Sequence, residues 1–157
     1  MDQLWAPWRM VYIQNADEPG CFFCRDLAEA RDAEDLIVRR GTRCFCVMNR
    51  YPYNVGHLLI APNAHKARLD QLDDAELLEF WTLTRDMQAL LERVMQPQGF
   101  NLGVNLGRVA GAGVEGHIHL HIVPRWNGDT NFMPVVADTK VMPEALSALH
   151  ARLVAGA

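Results

Sequence analysis

His117-Ile118-His119-Leu120-His121-Ile122-Val123 alternates three imidazoles with aliphatic side chains. Side chains on a β-strand repeat every second residue, so the histidines share one face and Ile118, Leu120 and Ile122 share the other. The aliphatic face needs a core to lie against. A lone histidine is usually a satisfied polar residue, but a same-face row of three is not explained that way. Imidazole is a metal ligand, a nucleophile and a near-neutral acid or base. This run is therefore the first candidate for chemistry.

The flanks extend the reading. Residues 107–116, Gly-Arg-Val-Ala-Gly-Ala-Gly-Val-Glu-Gly, run straight into the histidines. Glycines let backbone N–H groups turn toward an anion, so Gly111 and Gly113 are candidate phosphate contacts. The loop matches neither a P-loop nor a dinucleotide fingerprint, and a plain hairpin connection is its bland reading. Upstream, Phe100, Leu102, Val104 and Leu106 alternate with Asn101, Gly103 and Asn105, which is strand periodicity. If that strand neighbours the histidine strand, Asn101, Gly103 and Asn105 share a surface with the imidazoles. The spacing predicts a long helix over 73–96. Asp73 and Glu76 form a capping box, Leu77, Phe80, Trp81, Thr84, Met87, Leu90, Leu91 and Val94 recur at helical spacing, and Pro97 ends it.

Residues 36–39 and 43–49 read as two strands joined by a tight turn at Arg40-Gly41-Thr42, and Leu58-Leu59-Ile60-Ala61 as a third strand stopped by Pro62. Residues 49–56 are loop-like, and 25–35 suit a short helix or a loop. His65 and Lys66 begin a short helix, and Pro143 opens a final helix to about Val154 on which His150 reads as a solvated surface residue. Strands surround one long helix without βαβ alternation, which predicts α+β with an antiparallel sheet.

Composition sets the outer bounds. The 157 residues fit one domain, and half are hydrophobic, enough for a core without a disulfide framework. No apolar run reaches membrane-spanning length. Met1-Asp2-Gln3-Leu4-Trp5 lacks the features of a signal peptide, so a cytoplasmic location is expected. The net charge of −4 argues against a general nucleic-acid coat. In a reducing compartment Cys21-Phe22-Phe23-Cys24 reads as a metal knuckle or redox pair, with buried free thiols as the alternative. Cys44 and Cys46 share a strand face and read as small core residues. Arg50 and Arg125 flank candidate loops and either offset ligand charge or are ordinary surface cations. Trp5 and Trp8 in the aromatic lead-in are expected to pack against the core or a second subunit.

The run His117 to Val123 followed by Pro124-Arg125 resembles the signature of the histidine-triad (HIT) superfamily. So do residues 49–62, Asn-Arg-Tyr-Pro-Tyr-Asn-Val-Gly-His-Leu-Leu-Ile-Ala-Pro, and residues 100–107 with the loop after them. Together these span roughly residues 20–130, within a single domain expected over 1–157 whose C-terminal extension covers 126–157. Residues 4–10 and 124–132 look closest to the branch containing HIT-type diadenosine tetraphosphate phosphorylases.

The resemblance implies a five-stranded antiparallel sheet with one long helix and a C-terminal helix, usually as a homodimer. It implies that His119 is a nucleophile forming a covalent nucleotidyl-histidine on a nucleotide substrate, that His121 lies near the leaving group, and that His57 supports the triad. Asn49 matches a ribose contact and Asn105 a polar residue near the phosphates. In zinc-bearing relatives the ligands map to Cys21, Cys24, His65 and His117, and no organic cofactor is implied. One departure is Gly113-Val114, where many members carry a hydroxyl residue. The expected activity is phosphoanhydride cleavage by phosphate or water. The alternatives are a nucleoside phosphoramidate or adenylyl-sulfate hydrolase and a zinc-stabilised nucleotide-binding module with little turnover.

Overall fold

A computed structural model describes residues 20–130 and 142–157. The expectations for the tryptophan-rich lead-in and for residues 131–141 lie outside the described residues. Two short helices, α1 (Phe22–Glu29) and α2 (Asp32–Asp35), precede three strands, β1 (Ile37–Arg40), β2 (Cys44–Met48) and β3 (Leu58–Pro62). The long helix α3 (Asp74–Met95) follows, then β4 (Gly99–Val104), β5 (Leu120–Arg125) and α4 (Leu146–Gly156). The strands form one antiparallel sheet in the order β1-β2-β3-β5-β4. This is the expected α+β architecture.

The capping box forms as the sequence implies. The Asp73 carboxylate accepts from the Glu76 N–H, and Glu76 Oε2 accepts from the Asp73 N–H, both at 2.8 Å. Such a cap contributes about 1 kcal/mol. At the other end Gln96 takes a left-handed conformation ahead of Pro97. Phe80, Thr84, Met87, Leu90 and Leu91 are buried as the helical spacing predicts, and Leu83 joins them. Trp81 does not, being 51% exposed. At 3.6 residues per turn it falls on the rim of the apolar stripe, where a large ring cannot reach the sheet.

The register divides the sheet into two faces. Cys46 pairs with Ile60, which pairs with Leu120, and this face lies under α3. Val47 pairs with Leu59, which pairs with His121, which pairs with Gly103. Partners across a ladder point the same way, so Phe45, Val47, Leu59, His121, Gly103 and Asn101 occupy the face opposite α3. Phe23 of α1 covers that face, its ring edge-on to Phe45 at 6.1 Å. β2 and β3 are buried throughout because both faces are covered.

Three local expectations are corrected. The 65–66 segment is not helical, the nearest turn of 3-10 helix being Leu69–Gln71. The last helix starts at Leu146, three residues after Pro143, with Ala145 as its cap. His150 is only 6% exposed, and its Nε2–H donates to the Ile37 carbonyl at 2.8 Å. β1 is an edge strand whose register slips beside Ile37. A buried donor there satisfies a carbonyl at an interrupted ladder.

Candidate active site

The histidine run is only partly a strand. Pairing stops at Leu120, and the Ile118 N–H donates instead to the Lys66 carbonyl at 2.6 Å. His117 and His119 therefore precede β5, bracketed by the chain that follows β3. The shared face survives, because the Phe23 ring touches both imidazoles, with centroids 5.0 Å from His117 and 5.1 Å from His119. His121, inside β5, lies 4.9 Å from His119, ring edge to ring face.

Hydrogen bonds specify opposite tautomers at two neighbouring histidines. His119 Nδ1–H donates to the His117 carbonyl at 2.9 Å, which leaves Nε2 as a lone pair. His57 sits just ahead of β3, and its Nδ1 faces the Tyr53 N–H at 3.1 Å and the Asn49 amide Nδ2 at 3.3 Å. Two donors make that nitrogen an acceptor, so His57 Nε2 carries the proton and donates to His121 Nδ1 at 2.9 Å. His121 is then protonated on Nε2, which is buried and has no partner among the described residues. A lone pair and an N–H thus stand side by side, each fixed from behind.

Burial lowers the pKa of His119, against the opposing effect of the His117 carbonyl. Burial, with a smaller contribution from the charge on His119, lowers His121 to about 4. Both are neutral at pH 7, as a nucleophile and a hydrogen-bond donor require. Tyr53 stacks on His121 at 5.6 Å and lies 4.7 Å from the His57 ring. Gly56, at φ +78°, keeps this loop against α3, since a Cβ there would stand 2.7 Å from Met95 Sδ.

Cys21, Cys24, His65 and His117 bring four ligand atoms within 4.8 Å of one another. Cys21 Sγ lies 3.2 Å and Cys24 Sγ 3.6 Å from His117 Nδ1, and Cys24 Sγ lies 3.4 Å from His65 Nδ1. A tetrahedral zinc ion with ordinary Zn–S and Zn–N bonds sets such S···N edges at about 3.6 Å. The donor set and spacing fit zinc. His117 Nε2–H donates to the Pro62 carbonyl at 2.8 Å, which leaves Nδ1 for a metal and orients the ring. Gly116 lets His65 close over the cluster, since a Cβ there would lie 3.1 Å from His65 Nε2.

The other expected residues divide. Asn49 Oδ1 accepts from the Tyr51 N–H at 2.9 Å, so its amide braces the 49–57 loop as well as His57. Asn105 Nδ2 reaches the Gly111 carbonyl at 3.5 Å and ties β4's end to the glycine loop. Gly113 lies on the exposed part of that loop. Arg50 pairs with buried Asp35, and Arg125 pairs with Asp129 and Asn101. Both cations are committed to structure. An open cavity of about 520 Å³ lies between Arg68, Asp70, Leu106, Gly107 and Glu115, beside the loop but clear of the four histidines. Sequence reading missed Phe23, Tyr53 and the carbonyls of Pro62 and His117. The first two stood in view, one inside the CxxC and the other four residues before His57.

The HIT domain profile matches residues 30–128. The chain is 37% identical over 155 residues to a protein named AP-4-A phosphorylase from Mycobacterium tuberculosis, spanning 93% of this chain and 79% of that one. It is 35% identical over 82 residues to an asymmetrical bis(5'-nucleosyl)-tetraphosphatase of Schizosaccharomyces pombe, 52% of this chain and 44% of that one. Among solved structures, a hypothetical histidine triad nucleotide-binding protein of Sulfolobus tokodaii aligns with TM-score 0.70 and 25% identity, over 87% of this chain and 91% of that one. A Zn-bound histidine triad family protein of Mycobacterium smegmatis shares the fold at TM-score 0.69 and 21% identity, over 87% and 92%. By its profile match and its relatives, the chain belongs to the HIT domain family.

Proposed function

We propose that the protein cleaves nucleotide phosphoanhydrides, with diadenosine polyphosphates as its substrates, through a covalent nucleotidyl-histidine at His119. The observation that carries this reading is the pair of opposed tautomers, a lone pair on His119 Nε2 beside an N–H on His121. Similarity to proteins named for diadenosine tetraphosphate chemistry supports the substrate class.

His119 Nε2 attacks the α-phosphorus and forms a P–N bond. The P–O bond to the leaving polyphosphate breaks with its electron pair on oxygen, and diadenosine tetraphosphate releases ATP. His121 Nε2–H donates to an oxygen at the scissile phosphate, relieving the charge that builds there. An oxygen of inorganic phosphate or water then attacks the same phosphorus, and the P–N electron pair returns to His119. The nucleotide product is ADP with phosphate and AMP with water. Asn49 keeps one amide hydrogen and one lone pair for a ribose. Asn105 holds the loop in which Gly113 presents its backbone N–H to phosphate; the Gly111 N–H, expected from the sequence to do the same, is instead donated to the Arg108 carbonyl at 3.0 Å. Cys21, Cys24, His65 and His117 would hold zinc, which would supply a structural cross-link among them. A homodimer and a cytoplasmic setting belong to the same reading, and no helix among the described residues is long and apolar enough to cross a membrane.

The test is chromatography of products from diadenosine tetraphosphate with and without inorganic phosphate. ADP plus ATP only when phosphate is present identifies a phosphorylase, and AMP plus ATP without it a hydrolase. No product in either condition refutes the proposed substrate class and redirects the panel to phosphoramidates and adenylyl sulfate. Tight nucleotide binding without turnover of any of them would leave a binding module.

A further inference from the structure

Phe23 lies between Cys21 and Cys24 and is wholly buried. Its ring rests on two imidazoles at once, tilted 49° to His117 and 42° to His119. Phe22 supports it at 4.1 Å and Phe45 at 6.1 Å. His119 has one polar tie among the described residues, from Nδ1–H to the His117 carbonyl. A single hydrogen bond leaves a ring free to swing about the N–H···O direction. Phe23 blocks that swing on one side, and the His121 ring, 4.9 Å away, blocks it on another. Both the carbonyl and the blocking ring belong to the four-ligand cluster or to its CxxC segment.

We propose that Phe23 is a positioning residue that couples the Cys21, Cys24, His65 and His117 cluster to the orientation of the His119 ring. The proposal rests on the reading of His119 as nucleophile. The ligand set then does more than hold α1 to the sheet. It carries two of the three groups that aim His119 Nε2, so loosening the knuckle misaims the nucleophile while the nucleotide contacts stay in place. Misplacement of a reacting group by an ångström lowers rates by about 100-fold.

The experiment compares zinc-loaded wild type with Phe23→Leu and Phe23→Met, which keep an apolar side chain and lose the ring. Phe80→Leu, at a wholly buried position of α3 against the opposite face of the sheet, serves as a control for general core loosening. Zinc content is measured for each, turnover of diadenosine tetraphosphate is split into kcat and KM, and the His119 tautomer is read from imidazole nitrogen NMR. Expected are unchanged zinc content, KM within about twofold and kcat down about 10- to 100-fold. The His119 signal should change from one Nδ1–H tautomer to a mixture in both Phe23 variants and stay single in Phe80→Leu. Wild-type kcat with a single tautomer in the Phe23 variants would overturn the proposal, as would an equal loss in Phe80→Leu. Should one variant fail to fold, the other decides by the same criteria. If wild type turns over no nucleotide, the reading of His119 as nucleophile fails, and the NMR comparison still decides whether Phe23 orients the ring.

Discussion

Acid should destabilise the wild-type protein more than His121→Gln, by an amount the site determines. Burial and the neighbouring His119 lower His121 to about 4, against an ordinary histidine value of 6.5. Between those values the unfolded chain holds a proton that the folded chain refuses. Stability therefore rises with pH across that window, is complete above 6.5 and is lost as pH falls through it. Two such pKa values give a loss of about 2 kcal/mol between pH 7 and pH 5 and about 3 kcal/mol by pH 4. Gln at 121 keeps an acceptor for the His57 Nε2–H but does not titrate. Losses from groups that do not touch residue 121 are common to both proteins and cancel in the difference. Urea unfolding at pH 7 and pH 5 should show wild type losing about 2 kcal/mol more than the variant. Equal losses would show that His121 is not held neutral by its surroundings, and the assignment of its Nε2–H would fall with them.

Other expectations follow from single contacts. His57→Phe removes the donor that sets the His121 tautomer and strands the Tyr53 N–H, so single-turnover rates should fall at least 10-fold with about 1–3 kcal/mol of stability in thermal unfolding. Gly116→Ala pushes a Cβ against His65 Nε2, so zinc should leave faster under chelator challenge, whereas Gly99→Ala, whose Cβ meets nothing within 4 Å, should not change that rate. His150→Leu orphans the Ile37 carbonyl and should cost about 1–3 kcal/mol in denaturant titration while leaving kcat and KM unchanged.

Most of the sheet and the long helix were legible because they obey periodic rules. Alternation put His121 and Gly103 on one face, and the observed register does the same. The Asp73–Glu76 pair marked the start of α3 to the residue. Periodicity says nothing about where a ladder ends. His117 and His119 lie beyond β5 because the Ile118 N–H finds the Lys66 carbonyl, a partner 52 positions earlier in the chain. His150 was misread for a similar reason, since its burial depends on a carbonyl at the far edge of the sheet. The cluster of Cys21, Cys24, His65 and His117 shows both limits. The CxxC spacing marks two candidate ligands, but His65 and His117 join them only by resemblance, because chain separations of 41 and 96 residues leave no local pattern. Backbone acceptors such as the His117 carbonyl carry no sequence signal at all, although they decide which His119 nitrogen keeps its lone pair.

If the proposed chemistry holds, His119 Nε2 becomes bonded to phosphorus during turnover. Rapid quench of the enzyme with diadenosine tetraphosphate, followed by peptide mass spectrometry under alkaline conditions that preserve P–N bonds, tests it directly. One adenylyl group is expected on the peptide containing His119, formed and consumed fast enough to lie on the path to product, and absent from His119→Ala. Product formation with no adduct, an adduct on another residue, or normal turnover by His119→Ala would contradict it.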